Sequence, residues 1–238
     1  MTAQPLKTIV LDLLQHGHLD EEAFLQELNE TERTAIGKPE FWSAKDHMAH
    51  RMFWHQNLIL KVNAILQHQE ISPSEESDDQ INAKVFEEHK LRPWSDIHAE
   101  SERVYAELIT LTEHLSEEDL TTANRFAPIT GEHPLYTAFL GDCYEHDQEH
   151  LVQYYLDRHD LPRAIQVREQ CTNRVIQAEV PAWVKGWFLY KLASFYAQQK
   201  QREKAAARLQ EALTLAPDLI KEWLKNNPEL VAVRDQSA

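Results

Sequence analysis

The chain has 238 residues, 42% of them hydrophobic, which is enough for one large domain or two smaller ones with a packed core. Its net charge of -15 argues against nucleic acid as a partner, because contacts to phosphates need a basic surface. Glycine (5) and proline (10) are few and cluster at breaks, which favours long helices.

The compartment is predicted from the N-terminus, the apolar runs and the cysteines. The start, Met1-Thr-Ala-Gln-Pro-Leu-Lys, lacks the basic region and apolar run of a signal peptide. No stretch approaches the roughly 20 apolar residues of a membrane span. Cys143 and Cys171 are too few and too far apart to form a disulfide framework. We therefore expect a cytoplasmic protein with no membrane partner.

Four long amphipathic helices are predicted in the first two thirds of the chain, at about residues 5–29, 43–69, 93–114 and 134–158. His16-Gly17-His18 is a candidate interruption of the first helix, and Ser43 is the candidate N-cap of the second. A polar segment at 72–80 and a short helix at 81–88 form a long excursion between the second and third. This order predicts an all-α, up-down four-helix bundle over residues 1–160.

A second segment, residues 161–238, is predicted to begin at Leu161-Pro162. Its helices are expected at about 163–178, 182–198 and 202–215, followed by a short capping segment. Small and large apolar residues of the second and third of these helices are spaced as in a tetratricopeptide (TPR) repeat. One repeat cannot bury its apolar faces alone. The TPR-like segment must therefore pack on the bundle, on its own extra helix or on another subunit.

The two segments differ in charge. Residues 1–160 hold 31 acidic and 12 basic residues, whereas residues 161–238 hold 8 acidic and 12 basic residues. Opposite charge allows the segments to attract each other within one chain or across a homodimer. Two unrelated solvated surfaces are an equally good interpretation.

All thirteen histidines lie in the first 160 residues. His146 and His150 are four residues apart on an otherwise apolar stripe of the fourth helix, so both are expected to point inward on one helix face. His50, near the core side of the second helix, can supply a third imidazole. Three protein ligands leave one coordination position open, as in catalytic metal sites. The stripe also carries Cys143, which is expected to be a small packing residue.

Two other interpretations of these histidines stay open. Core or surface histidines bonded to carboxylates are common, and the spacing of the pair alone favours that reading. The remaining ten histidines are assigned to it: His16, His18, His47, His55, His68, His89, His98, His114, His133 and His159. His146-Asp-Gln-Glu149-His150 also matches the inverted zinc-protease motif. That motif needs a larger mixed α/β context, which this helical chain does not offer.

Three segments, in order, resemble the DinB-like (DfsB/ClbS-type) four-helix-bundle family over roughly residues 5–158. They are Trp42-Ser-Ala-Lys-Asp-His-Met-Ala-His50-Arg-Met-Phe-Trp54, then Ile81-Asn-Ala-Lys-Val-Phe with Arg92-Pro-Trp-Ser-Asp-Ile, and Glu145-His146-Asp-Gln-Glu149-His150. The resemblance implies a divalent metal, most often zinc or nickel, held by the histidines that correspond to His50, His146 and His150. The TPR-like segment departs from the plain family pattern.

Two functions from different classes are therefore considered. The resemblance implies a metal-dependent hydrolase or thiol transferase that acts on a small electrophile or a thiol adduct, with no single reaction assigned. Glu145 or Glu149 is a candidate hydrogen-bond support for a ligand imidazole. The alternative is a non-catalytic interaction protein that binds a protein partner through the TPR-like segment.

Overall fold

The computed structural model describes residues 4–72 and 74–235, with no description of the side chain of Asp235. Three predicted parts extend beyond the described residues. These are the N-terminal start at Met1–Ala3, the polar loop at Pro73 and the last three residues of the TPR-like segment. Packing divides the chain into two compact units, one of Pro5–Ala164 and one that contains Ile165 onward.

The structure is all-α, as predicted. Within the described residues, β structure is limited to one isolated bridge between Lys38 and Phe41. The helices of the first unit are α1 (Leu6–Glu27), α2 (Glu30–Thr34), α3 (Ala44–Leu66), α4 (Asp78–His89), α5 (Trp94–His114), α6 (Glu117–Thr121), α7 (Ala127–Thr130), α8 (Tyr136–Ala138), a π-helical segment (Phe139–Glu145) and α9 (His146–Asp157). Among the described residues, no helix is long and apolar enough to cross a membrane.

Four long elements form the bundle: α1, α3, α5 and the continuous run from α8 through α9. Helix α3 packs along α5, and α1 packs against the π-helical segment and α9. The fully buried side chains at the centre include Leu13 of α1, Met48 of α3, Leu108 of α5 and Phe139 of the π-helical segment. These four elements confirm the predicted up-down bundle. Helix α4 lies in the long excursion between α3 and α5 and packs on α3.

The expected interruption of the first helix is wrong, because α1 runs through His16-Gly17-His18 without a break. Gly17 is buried there against the last bundle helix. A Cβ at this position would lie 3.1 Å from Cδ2 of Tyr144, which is tighter than ordinary van der Waals contact. The glycine therefore permits a close approach of two helices rather than a break in one.

The fourth bundle helix was predicted as one regular α-helix, and this detail is also wrong. Residues Phe139–Glu145 form a π-helix, and the backbone N–H of His146 bonds the carbonyl oxygen of Gly141, five residues earlier. The wider turn inserts a residue into the helical repeat, and such segments are frequent at functional sites. It ends directly before the two histidines of α9, so it sets the direction in which they project.

The second unit contains most of α10 (Leu161–Gln177), and then α11 (Ala182–Gln198), α12 (Arg202–Leu215), α13 (Pro217–Leu224) and α14 (Pro228–Asp235). The predicted helix bounds in this part are close to those observed. Helices α11 and α12 pack along each other, and α13 and α14 pack on this pair. Their shared core includes Leu189, Leu209, Ile220 and Leu230. The assignment as a TPR-like segment stays a prediction.

Gly186 lies at a close contact between α11 and the end of α12. A Cβ at Gly186 would lie 2.9 Å from Cβ of Ala216 and 3.4 Å from the carbonyl oxygen of Ala212. We expect Gly186→Val to lower the free energy of unfolding by about 1–3 kcal/mol through overpacking. Urea unfolding measures the change, and Ala182→Val at an exposed position of the same helix is the control. Equal stabilities of the two variants would contradict the prediction.

Candidate metal centre

The start of α3 is held by a double hydrogen bond at Ser43. The side chain of Ser43 accepts a hydrogen bond from the backbone N–H of Asp46 (3.2 Å), and the Asp46 carboxylate accepts one from the backbone N–H of Ser43 (2.8 Å). The same carboxylate accepts the backbone N–H of Gly37 (3.1 Å). A Cβ at Gly37 would lie 2.7 Å from the backbone nitrogen of Ser43, so only glycine fits. This cap fixes the turn from which His47 and His50 project.

The three predicted metal ligands converge. His50 of α3 and His146 and His150 of α9 place ring nitrogens within 4.8 Å of one another. Nε2 of His146 lies 3.2 Å from Nε2 of His50 and 3.1 Å from Nε2 of His150. His50 is buried, and His146 and His150 are partly buried. Two helices thus bring three like nitrogen atoms to one point.

These contacts cannot all be ordinary hydrogen bonds between neutral imidazoles. A neutral imidazole nitrogen carries either one hydrogen or one lone pair. Nε2 of His146 can therefore make one such bond, but two other imidazole nitrogens contact it. A cation at this point accepts all three lone pairs together. The donor set is that of a three-histidine site for a divalent transition metal.

The electrostatic surroundings keep these imidazoles neutral. Burial, with added repulsion from His146 and Arg51, lowers the pKa of His50 to about 3. Burial also lowers the pKa of His146, and burial together with the neighbouring imidazoles of His47 and His146 holds the pKa of His150 well below its usual range. The neutral imidazole is the form that binds a metal, because its lone pair is free.

His47, one turn before His50 on α3, is also part of this cluster. Its Nδ1 lies 2.9 Å from Nδ1 of His150, on the side of that ring opposite Nε2. Trp42 stacks on the His150 ring, with centroids 5.9 Å apart and an interplanar angle of 13°. Trp42 also contacts the rings of His47 and His50. The His150 ring is thus held at one nitrogen and on one face.

A buried charged network lies beside the cluster. The guanidinium of Arg51 donates two hydrogen bonds to the carboxylate of Glu21, one of them 2.7 Å long, and lies 3.8 Å from Oδ2 of Asp147. Nε2 of His55 lies 3.1 Å from Oδ1 of Asp147. Burial by itself would raise the pKa of Asp147, but the neighbouring His55 and Arg51 outweigh it and lower that pKa. The network joins α1, α3 and α9, the helices that enclose the histidines.

Other predicted residues take different places. Cys143 is fully buried, and burial raises the pKa of its thiol well above the usual value, which fits a packing role. Glu149 is exposed and Glu145 is buried, and their support of a ligand imidazole stays a prediction.

Sequence reasoning missed His47 and His55, which it had assigned with the ordinary core and surface histidines. For His47 a signal existed, because it lies three residues before His50 and so shares its helix face.

A second group of ionisable side chains lies elsewhere on the bundle. His18 and Glu22 of α1 and Glu102 of α5 also bring ligand atoms within 4.8 Å of one another. Nε2 of His18 lies 3.3 Å from a Glu102 oxygen and 3.7 Å from a Glu22 oxygen, and its ring stacks on Tyr105. Close contacts to two carboxylates and ring stacking on Tyr105 account for this arrangement without a metal, and the group offers a control for the first cluster.

Comparison with known proteins identifies the bundle. The family model of the DinB superfamily matches residues 20–154, a range that contains all three converging histidines. Neither a curated protein nor a solved structure matches the chain significantly. Proteins of this superfamily commonly bind a metal, and the histidine cluster agrees with that property. By its sequence match and its fold, the chain is a member of the DinB superfamily.

Proposed function

We propose that His50, His146 and His150 hold one divalent metal ion, zinc or nickel, and that the chain is a metal-dependent enzyme. The observation that carries the proposal is the convergence of three Nε2 atoms, with contacts of 3.1 and 3.2 Å that neutral imidazoles cannot all satisfy. The metal would supply Lewis acidity at an open coordination position, where it polarises a substrate or lowers the pKa of a water or thiol.

The proposed substrate is a small electrophile or a thiol adduct, processed by hydrolysis or by thiol transfer. His146 and His150 are partly buried, which places the cluster within reach of a small molecule. Trp42 and Trp54 flank His50 at ring-centroid distances of 4.9 and 6.2 Å. An aromatic border of this kind suits a small, partly apolar molecule. The chain's own side chains would orient the substrate and limit the access of water.

The ligand assignment is tested by metal analysis of protein loaded with zinc or nickel and then desalted. We expect close to one equivalent in the wild type and in His18→Ala, because the second ionisable group is not required. A His146→Ala, His150→Ala double variant should retain almost none. Equal metal content in the wild type and the double variant, or loss of metal in His18→Ala alone, would refute the assignment.

The substrate class is tested at the same site with cobalt and a thiol. Cobalt-loaded wild-type protein should change its visible absorption when glutathione is added, because an open coordination position accepts a sulfur ligand. Acetate at the same concentration is the control for ionic strength. An unchanged spectrum with glutathione would rule out the thiol-transfer form of the proposal and leave the hydrolytic form.

A second candidate function belongs to the second unit. The close packing of α11 along α12 supports the proposal of a TPR-like helix pair, which would bind a protein partner. In that case the chain is an interaction protein, and any metal has a structural role. Substitutions on exposed residues of α12 that abolish partner binding, with unchanged metal content and no activity on thiols or electrophiles, would support this alternative.

A further inference from the structure

We propose that His47 is a positioning residue that fixes the tautomer and orientation of His150 for metal binding. The inference rests on the proposed metal site, and it concerns a residue outside the three ligands. It starts from one contact, between Nδ1 of His47 and Nδ1 of His150, which are 2.9 Å apart. A contact of this length between two imidazole nitrogens requires one to donate and the other to accept.

The direction of this hydrogen bond determines whether His150 can bind a metal. Nε2 of His150 faces Nε2 of His146 at 3.1 Å, so this nitrogen is the one directed at the metal position. To offer a lone pair there, neutral His150 must carry its hydrogen on Nδ1. Nδ1 of His47 then accepts that hydrogen. In the opposite arrangement His47 donates, His150 carries its hydrogen on Nε2, and the metal position is blocked.

The surroundings of His47 hold its ring in place. Its side chain is buried, with 6% of its surface exposed, and it lies on α3 one turn after the cap at Ser43. Its ring also meets Trp42 and Tyr154 edge-on, at centroid distances of 5.4 and 6.3 Å. Nε2 of His47 is buried and has no hydrogen-bond partner among the described residues, so Nδ1 makes the one polar contact of this ring.

His47 is not itself placed to complete the ligand set. The group whose ligand atoms all lie within 4.8 Å of one another contains His50, His146 and His150, and His47 contacts it through the far nitrogen of His150. A hydrogen bond to the second nitrogen of a metal-binding histidine fixes its ring and raises its basicity, and loss of such a partner weakens metal binding by about 10- to 100-fold. We expect an effect of that size at His47.

Two variants separate the hydrogen bond from packing. His47→Asn keeps an acceptor near the position of Nδ1, whereas His47→Leu fills similar space without one. Zinc affinity is measured by competition with a chelator, and folding is followed by circular dichroism. We expect His47→Leu to lose about 10- to 100-fold in affinity and His47→Asn to recover most of the loss. Equal affinity of His47→Leu and wild type, or equal losses in both variants, would overturn the inference.

A measurement on the unaltered protein provides a second test. Long-range proton–nitrogen correlation spectra of the zinc-loaded wild type should show His150 with its hydrogen on Nδ1 and His47 with its hydrogen on Nε2. A hydrogen on Nδ1 of His47 would overturn the inference even if both variants failed to fold. Absence of zinc binding by the wild type would instead refute the metal site itself, so the two failures are distinguishable.

Discussion

The metal-free protein is expected to lose stability steeply as the pH falls from neutrality, because it buries neutral imidazoles that the unfolded chain protonates. Burial lowers the pKa of His47 from 6.5 to about 3 and that of His50 to a similar value. Burial and the neighbouring imidazoles also lower the pKa values of His146 and His150. Below the unfolded value the unfolded state therefore binds more protons than the folded state.

The sign and the pH window follow from this difference. The stabilising effect is complete above pH 6.5, and it is lost as the pH falls from 6.5 toward about 3. Within that window His47 and His50 each contribute a slope of about 1.4 kcal/mol per pH unit. Two or more such groups can remove a large part of a stability that is typically about 5–15 kcal/mol in total.

Urea unfolding at several pH values, with a chelator present, measures this slope. His47→Leu and His50→Leu should each flatten the dependence near pH 5 by about 1 kcal/mol per pH unit. Met52→Leu, at a buried position of the same helix that carries no titratable group, is the matched control and should leave the slope unchanged. Equal slopes in all four proteins would contradict the burial of neutral imidazoles.

Replacement of Arg51 by methionine is expected to cost about 3–5 kcal/mol of the free energy of unfolding. Burial alone would lower the pKa of Arg51, but the carboxylates of Glu21 and Asp147 outweigh burial and raise it, so the guanidinium stays charged. Its side chain is 5% exposed and that of Glu21 is 9% exposed. Removal of the cation leaves the carboxylate of Glu21 buried without its counter-charge, and it takes one of its two close partners, Arg51 and His55, from the carboxylate of Asp147.

A double variant and a surface pair test this explanation. Arg51→Met with Glu21→Met removes both buried partners, so we expect it to be more stable than Arg51→Met alone. Arg103 pairs with Glu107 on the surface, where the side chains are 54% and 43% exposed, and Arg103→Met should cost less than about 1 kcal/mol. A cost of Arg51→Met as small as that of Arg103→Met would show that the buried pair is not required.

The buried network should also affect the metal site through backbone position. Arg51 follows His50 directly, and Asp147 follows His146, so the contact between Arg51 and Asp147 joins the two helix turns that carry these histidines. Arg51→Met is therefore expected to weaken zinc binding as well as stability. The chelator competition used for His47 measures the change in zinc affinity, and urea unfolding measures the change in stability.

The sequence determined most helices of this protein and the inward faces that carry His50, His146 and His150. Apolar periodicity, the Ser43 cap and the prolines predicted α3, α5 and the helices after Leu161 to within a few residues, because these signals act between neighbours along the chain. The same periodicity, together with the family resemblance, identified His50, His146 and His150 as residues that converge. Helical spacing is a local property, so the sequence alone reveals it.

Only the tertiary structure decided the features that depend on contacts between distant residues. The π-helical turn at Phe139–Glu145 and the continuous α1 at Gly17 arise where helices pack closely, and no local signal specifies such packing. The contact of His47 with His150 joins residues 103 positions apart, and that of Arg51 with Glu21 joins residues 30 apart. The free energy of a buried hydrogen bond or ion pair depends on which side chains meet after the helices have assembled. Of the thirteen histidines, only the assembled bundle therefore shows that His47 lies against one of the three converging ones, His150.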